Sequence, residues 1–130
     1  MNAFREIVVN EETFLWRYVF DAEDHQYNSF LVFRKTDKNG KLIIYFQSKV
    51  SEYGYCPFNE GLPAQYDDES VIINLNQPRF IAEILAFVLN ELKLDFEGKT
   101  LEYYEGIELM YLLGYKFTYH KNDKSQNFVV

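Results

Sequence analysis

Residues 29–47 read "SFLVFRKTDKNGKLIIYFQ", and the fold turns on whether the two apolar runs in it are strands. "SFLVFRK" (29–35) and "KLIIYFQ" (41–47) are rich in β-branched and aromatic residues, the side chains that fit a pleated surface. Between them "TDKNG" carries Asn39-Gly40, a pair that tolerates the positive φ of a tight turn. The stretch therefore predicts a β-hairpin. Both strands are apolar on both sides, so neither face of the resulting sheet is expected to be wholly wet.

Toward the N-terminus, "TFLWRYVF" (13–20) puts Phe14, Trp16, Tyr18 and Phe20 on one side and Leu15, Arg17 and Val19 on the other. That period of two, with its aromatic enrichment, predicts another strand. "FREIVV" (4–9) alternates well enough for a shorter one, and the polar "DAEDHQYN" (21–28) is a connection. Three or four antiparallel strands thus precede residue 48.

Toward the C-terminus the pattern lapses. "SEYGYCPFNEGLPAQYDDES" (51–70) has no helical or strand period, and it holds two of the three prolines and the only cysteine. An irregular loop is expected over 48–70. Structureless loops longer than about 12–15 residues are uncommon in compact domains and tend to be functional or disordered. Disordered segments are poor in aromatics, whereas this one contains Tyr53, Tyr55, Phe58 and Tyr66. A recognition surface and a closing flap over the sheet both fit such a segment.

"VIINL" (71–75) reads as a buried strand, Asn76 as a helix cap, and Pro78 as a first-turn residue. From there Phe80, Ile84, Val88 and Leu92 recur every four residues, flanked by Ile81, Leu85 and Leu89, which predicts an amphipathic helix. A second helix is expected from a cap at Thr100, with Leu101, Tyr104, Ile107, Met110 and Tyr111 on its apolar side and Gly114 ending it. "KFTYH" (116–120) suits a last strand, and the tail 121–130 is expected to fray. The expected fold is α+β: a mainly antiparallel sheet of four to six strands with two helices packed on one face. At 130 residues the chain is about one domain, 1–130.

Twelve Phe, eleven Tyr and one Trp make the chain unusually aromatic, and a domain this small can bury only some of the rings. The net charge of −7 is unevenly spread. Residues 51–110 carry twelve acidic and three basic side chains, whereas residues 1–50 balance at seven each. This bias disfavours direct binding to nucleic acid, which needs clustered cations, and to anionic membranes. It favours a basic protein partner. Cys56 has no second cysteine to pair with, so no intramolecular disulfide and no cysteine metal cage is expected. The N-terminus lacks the pattern of a signal peptide, and a cytoplasmic protein is expected.

Few residues suggest chemistry. Asp21, Glu23, Asp24 and His25 crowd one connection, but their spacing matches neither a zinc motif nor a calcium loop, and a hydrophilic strand-to-strand link is the favoured explanation. Adjacent carboxylates in "YDDES" (66–70) can raise one another's pKa, though a solvated turn has the same composition. His120 reads as a surface residue. Nucleophile elbows, phosphate loops and dinucleotide fingerprints are absent. The expectation is a non-enzyme with no cofactor and no metal site.

The leading functional expectation is a protein-binding module with an acidic, tyrosine-rich surface, in the manner of an inhibitor or immunity-type protein for a basic partner. Its surface would comprise Tyr53, Tyr55, Tyr66, Asp67, Asp68 and Glu69, with Glu102, Tyr103 and Glu105. The alternative is a small-molecule-binding domain or small enzyme. Its aromatic pocket would lie between sheet and loop 48–70, lined by Trp16, Tyr18, Tyr45, Tyr55 and His25. Self-association through an uncovered sheet face to form a homo-oligomer is a third reading.

Overall fold

The computed structural model describes residues 3–20, 29–36, 39–46 and 62–117. Their elements run β1 (Arg5–Val9), β2 (Glu12–Phe20), β3 (Ser29–Lys35), β4 (Lys41–Tyr45), β5 (Leu62–Tyr66), β6 (Glu69–Ile73), α1 (Pro78–Asn90), β7 (Thr100–Tyr103), α2 (Gly106–Leu112) and β8 (Tyr115–Phe117). The fold is α+β with strands dominating. A five-stranded sheet has the order β1-β2-β3-β4-β7, and a three-stranded sheet has the order β6-β5-β8.

β3 and β4 pair antiparallel, as predicted, with Phe33 opposite Leu42 and Leu31 opposite Ile44. Because side chains alternate, the register fixes two faces for the larger sheet. Phe14, Trp16, Tyr18, Leu31, Phe33, Leu42 and Ile44 all point inward and are buried. A buried polar pair on this face is Tyr18 and Ser29, whose hydroxyls hydrogen-bond at 2.5 Å. The α1 side chains Phe80, Ile81, Ile84, Leu85 and Val88 join the same core cluster, as do Ala64, Ile73 and Tyr115 of the smaller sheet. Burial of each α1 side chain stabilises by about 1.5–3 kcal/mol before entropy is counted. Its N-cap is Gln77 rather than Asn76, and the Asn76 amide instead donates to Asn74 Oδ1 at 2.9 Å.

Two expectations change. The irregular loop expected over 48–70 is corrected from Leu62 onward, because residues 62–66 and 69–73 pair as an antiparallel hairpin. Pro63, Ala64 and Gln65 are weak strand formers, so tertiary pairing overrides local preference there. Pro63 precedes the Ala64–Tyr66 segment that pairs with β8, where its missing amide is tolerated. The turn is Asp67-Asp68, both at positive φ (53° and 68°), the conformation that a two-residue hairpin loop demands. Asn10-Glu11 turns β1 into β2 in the same way, at 57° and 65°.

The second helix is shorter than expected. Thr100 begins a strand, not a helix, and β7 runs parallel to β4 with Leu101 beside Leu42 and Tyr103 beside Ile44. The apolar spacing from Leu101 to Tyr111 suits a strand over its first part and a helix only after Gly106. That glycine is the first residue of α2, and it must be small. A methyl group on it would sit 2.5 Å from the Tyr45 carbonyl oxygen and 2.7 Å from the Phe46 ring. Gly114 has φ 111°, which suits the reversal after α2. Among the described residues no helix is long and apolar enough to cross a membrane.

Candidate functional site

Five of the predicted acidic, tyrosine-rich residues fall on two places. Tyr66, Asp67, Asp68 and Glu69 form the exposed tip of the β5–β6 hairpin on the smaller sheet. The Tyr66 ring is held against Tyr115, with centroids 4.9 Å apart, and Gly114 leaves it room. Tyr115 in turn donates to Glu83 on α1 at 2.5 Å. Burial raises the Tyr115 pKa well above the tyrosine norm, helped by the hydrogen bond to Glu83 and by that carboxylate's charge. The phenol therefore stays protonated. Beside it, Arg79, Ala82, Glu83 and Tyr115 line an open cleft of about 410 Å³.

Glu102 belongs to the second place, the outward face of the larger sheet. Its carboxylate receives two phenol protons: Tyr104 donates to Oε1 at 2.6 Å and Tyr45 to Oε2 at 3.2 Å. The two rings stack with centroids 4.9 Å apart and planes 9° from parallel, and Phe30 lies against Tyr45 with centroids 5.7 Å apart and planes tilted by 50°. Phenol–carboxylate bonds are charge-assisted and geometrically demanding, so each hydroxyl fixes one oxygen. Glu102 is nevertheless exposed, and each oxygen keeps a further lone pair for an incoming donor. The result is a carboxylate at the edge of a flat aromatic platform.

Tyr103 does not share that surface. Pleating turns it to the opposite side of β7, where it packs against the core. Its pKa is raised by burial first, then by the charges of Glu108 and Glu105. Glu105 is exposed at the N-cap of α2. The hairpin tip and Glu102 thus lie on different sheets. Tyr53 and Tyr55 lie outside the described residues, as do Asp21, Glu23, Asp24, His25, Cys56, His120 and the tail 121–130.

The residues of the alternative pocket are split. Trp16 and Tyr18 face the core, while Tyr45 lies on the outer face, since its neighbour Ile44 opposes Leu31. Trp16 and Tyr18 border a small edge cleft of about 220 Å³ with Arg5 and Asn76, whereas Tyr45, level with Val19 across Phe30, points to the opposite face. Among the described residues no three His, Cys, Asp or Glu side chains gather to hold a metal ion.

Sequence reasoning missed Tyr45 and Tyr104 as partners of Glu102. The Glu102–Tyr104 spacing puts both on one side of an extended chain, a signal that was available once 100–103 was read as a strand. The link to Tyr45 depends on a parallel pairing across much of the chain, for which no local signal exists. Comparison with known proteins finds no matching family model, no matching curated protein and no matching solved structure.

Proposed function

We propose that this protein is a protein-binding module for a basic partner, with Glu102, Tyr45 and Tyr104 at the centre of its recognition surface. The observation that carries the reading is the exposed Glu102 carboxylate, oriented by two phenols on a stacked pair of rings. An arginine matches this arrangement twice over. Its planar guanidinium donates in a fork to a carboxylate and also lies favourably against an aromatic face. Tyrosine contributes contact area at low entropic cost, and the acidic bias of residues 51–110 steers a basic surface toward the molecule. The exposed tip Tyr66–Glu69 supplies a second acidic element on the other sheet.

The test is a native pull-down at low and moderate salt, comparing the parent chain with Glu102→Gln, which keeps shape and removes charge. A basic protein recovered by the parent at low salt, and about tenfold less by the variant, is the expected result; that factor corresponds to about 1.4 kcal/mol, within the range for a hydrogen-bonded charge pair. Recovery that ignores both salt and the substitution rules the reading out.

A further inference from the structure

At the far end of the same outer face, the charge reverses. Arg34 of β3 and Lys41 of β4 are directly opposed across the hairpin, and Thr100 of β7 is the next residue in that row. All three are exposed. Lys99 closes the row from the side, its carbonyl accepting the Lys41 amide at 2.9 Å. These residues, with Asn39 and Gly98, line a cleft of about 410 Å³ that has no acidic lining residue among those described.

Like charges placed directly opposite on paired strands destabilise the pair. The arrangement therefore has an electrostatic cost, and the neighbouring cation shows the usual remedy: Lys35 is neutralised by Glu12 at 3.2 Å. No described carboxylate pairs with Arg34, Lys41 or Lys99. In a chain of net charge −7, three cations around one cleft are an anomaly that an anion between them would resolve.

We infer that this cleft binds the phosphate group of a small phosphorylated molecule. Arg34 supplies a planar fork suited to phosphate oxygens, Lys41 and Lys99 supply point charges, and the Thr100 hydroxyl is a further donor. Gly98, at φ 75°, has nothing within 4 Å of where a side chain would begin, so a ligand can approach its backbone closely. The volume lies at the lower end of small-ligand clefts, about 300–1,000 Å³. The acidic character of the rest of the molecule opposes an extended polyanion and leaves a compact anion as the occupant. This site shares no residue with the Glu102 surface.

The experiment titrates sodium pyrophosphate into the full chain, against sodium chloride of equal ionic strength, and reads amide shifts by NMR together with the melting temperature. Saturable shifts at Lys41 and Gly98 to Thr100 are expected, with a rise in melting temperature that follows occupancy. Lys41→Gln and Lys99→Gln should each weaken binding about tenfold, whereas Lys116→Gln, on the other sheet, should leave it unchanged. Without anion, Lys41→Gln should melt no lower than the parent because it relieves repulsion, which separates lost binding from lost folding. Malonate should bind more weakly than pyrophosphate. The inference is overturned by shifts that fail to saturate, by equal binding in the parent and both cleft variants, or by malonate binding as tightly as pyrophosphate.

Discussion

The two faces of the five-stranded sheet are made by the same strands and obey different rules. On the inner face Phe14, Trp16, Tyr18, Leu31, Phe33, Leu42 and Ile44 are sealed against α1 and the core, so volume and shape decide what fits. On the outer face Leu15, Arg17, Val19, Phe30, Ile43 and Tyr45 are half-buried around Val32, and charged groups stand at the ends of the rows. One strand thus carries a packing code on one side and an electrostatic code on the other. The inner face builds the fold, and the outer face carries the surface we propose for recognition.

The sharpest way to break the contrast is to truncate matched rings. Phe33→Ala on the inner face should destabilise by about 3–5 kcal/mol, through lost burial and a residual cavity. Phe30→Ala, three positions earlier and half-exposed, should cost about 1 kcal/mol. Urea unfolding of both variants measures the pair, and equal losses would abolish the distinction. A finer version uses hydroxyls. Tyr18→Phe leaves Ser29 buried without that partner and should cost about 1–3 kcal/mol, whereas Tyr45→Phe exposes its partner to water and should stay within about 0.5 kcal/mol.

The smallest effect is alkaline. Tyr115 keeps its proton in the folded chain at pH values where an unfolded tyrosine, with its ordinary pKa of 10.0, has lost it. The folded state then binds more protons, so stability is intact below pH 10 and declines as pH rises above it. Tyr115→Phe should show a shallower alkaline decline in melting temperature than the parent. Parallel curves for the two chains would mean that Tyr115 does not contribute.

What the sequence made legible follows from range. The paired strands within 29–47, the alternation of 13–20 and the helical stripe from Phe80 are local patterns, and each forms, although α1 ends at Asn90, before Leu92. The strand at 62–66 was hidden because Pro63, Ala64 and Gln65 carry little preference of their own, and its partners define it. The stretch after Thr100 was misread for a related reason: Leu101, Tyr104 and Ile107 mimic a helical stripe although the chain is extended until Tyr103. Glu102 stands out in the sequence as part of an acidic bias, not by its partners. Its phenol partners required a parallel register, and the opposed Arg34 and Lys41 required an antiparallel one, before either arrangement had meaning.

The parallel pairing of β7 with β4 has a consequence for the chain as it emerges from the ribosome. β1 to β4 leave in order and can zip together as they appear, each neighbour in space being the neighbour in sequence. The fifth place cannot be taken until β5, β6 and α1 have been synthesised, so through that interval the open side of β4 must satisfy its amides and carbonyls with water or with some interim companion.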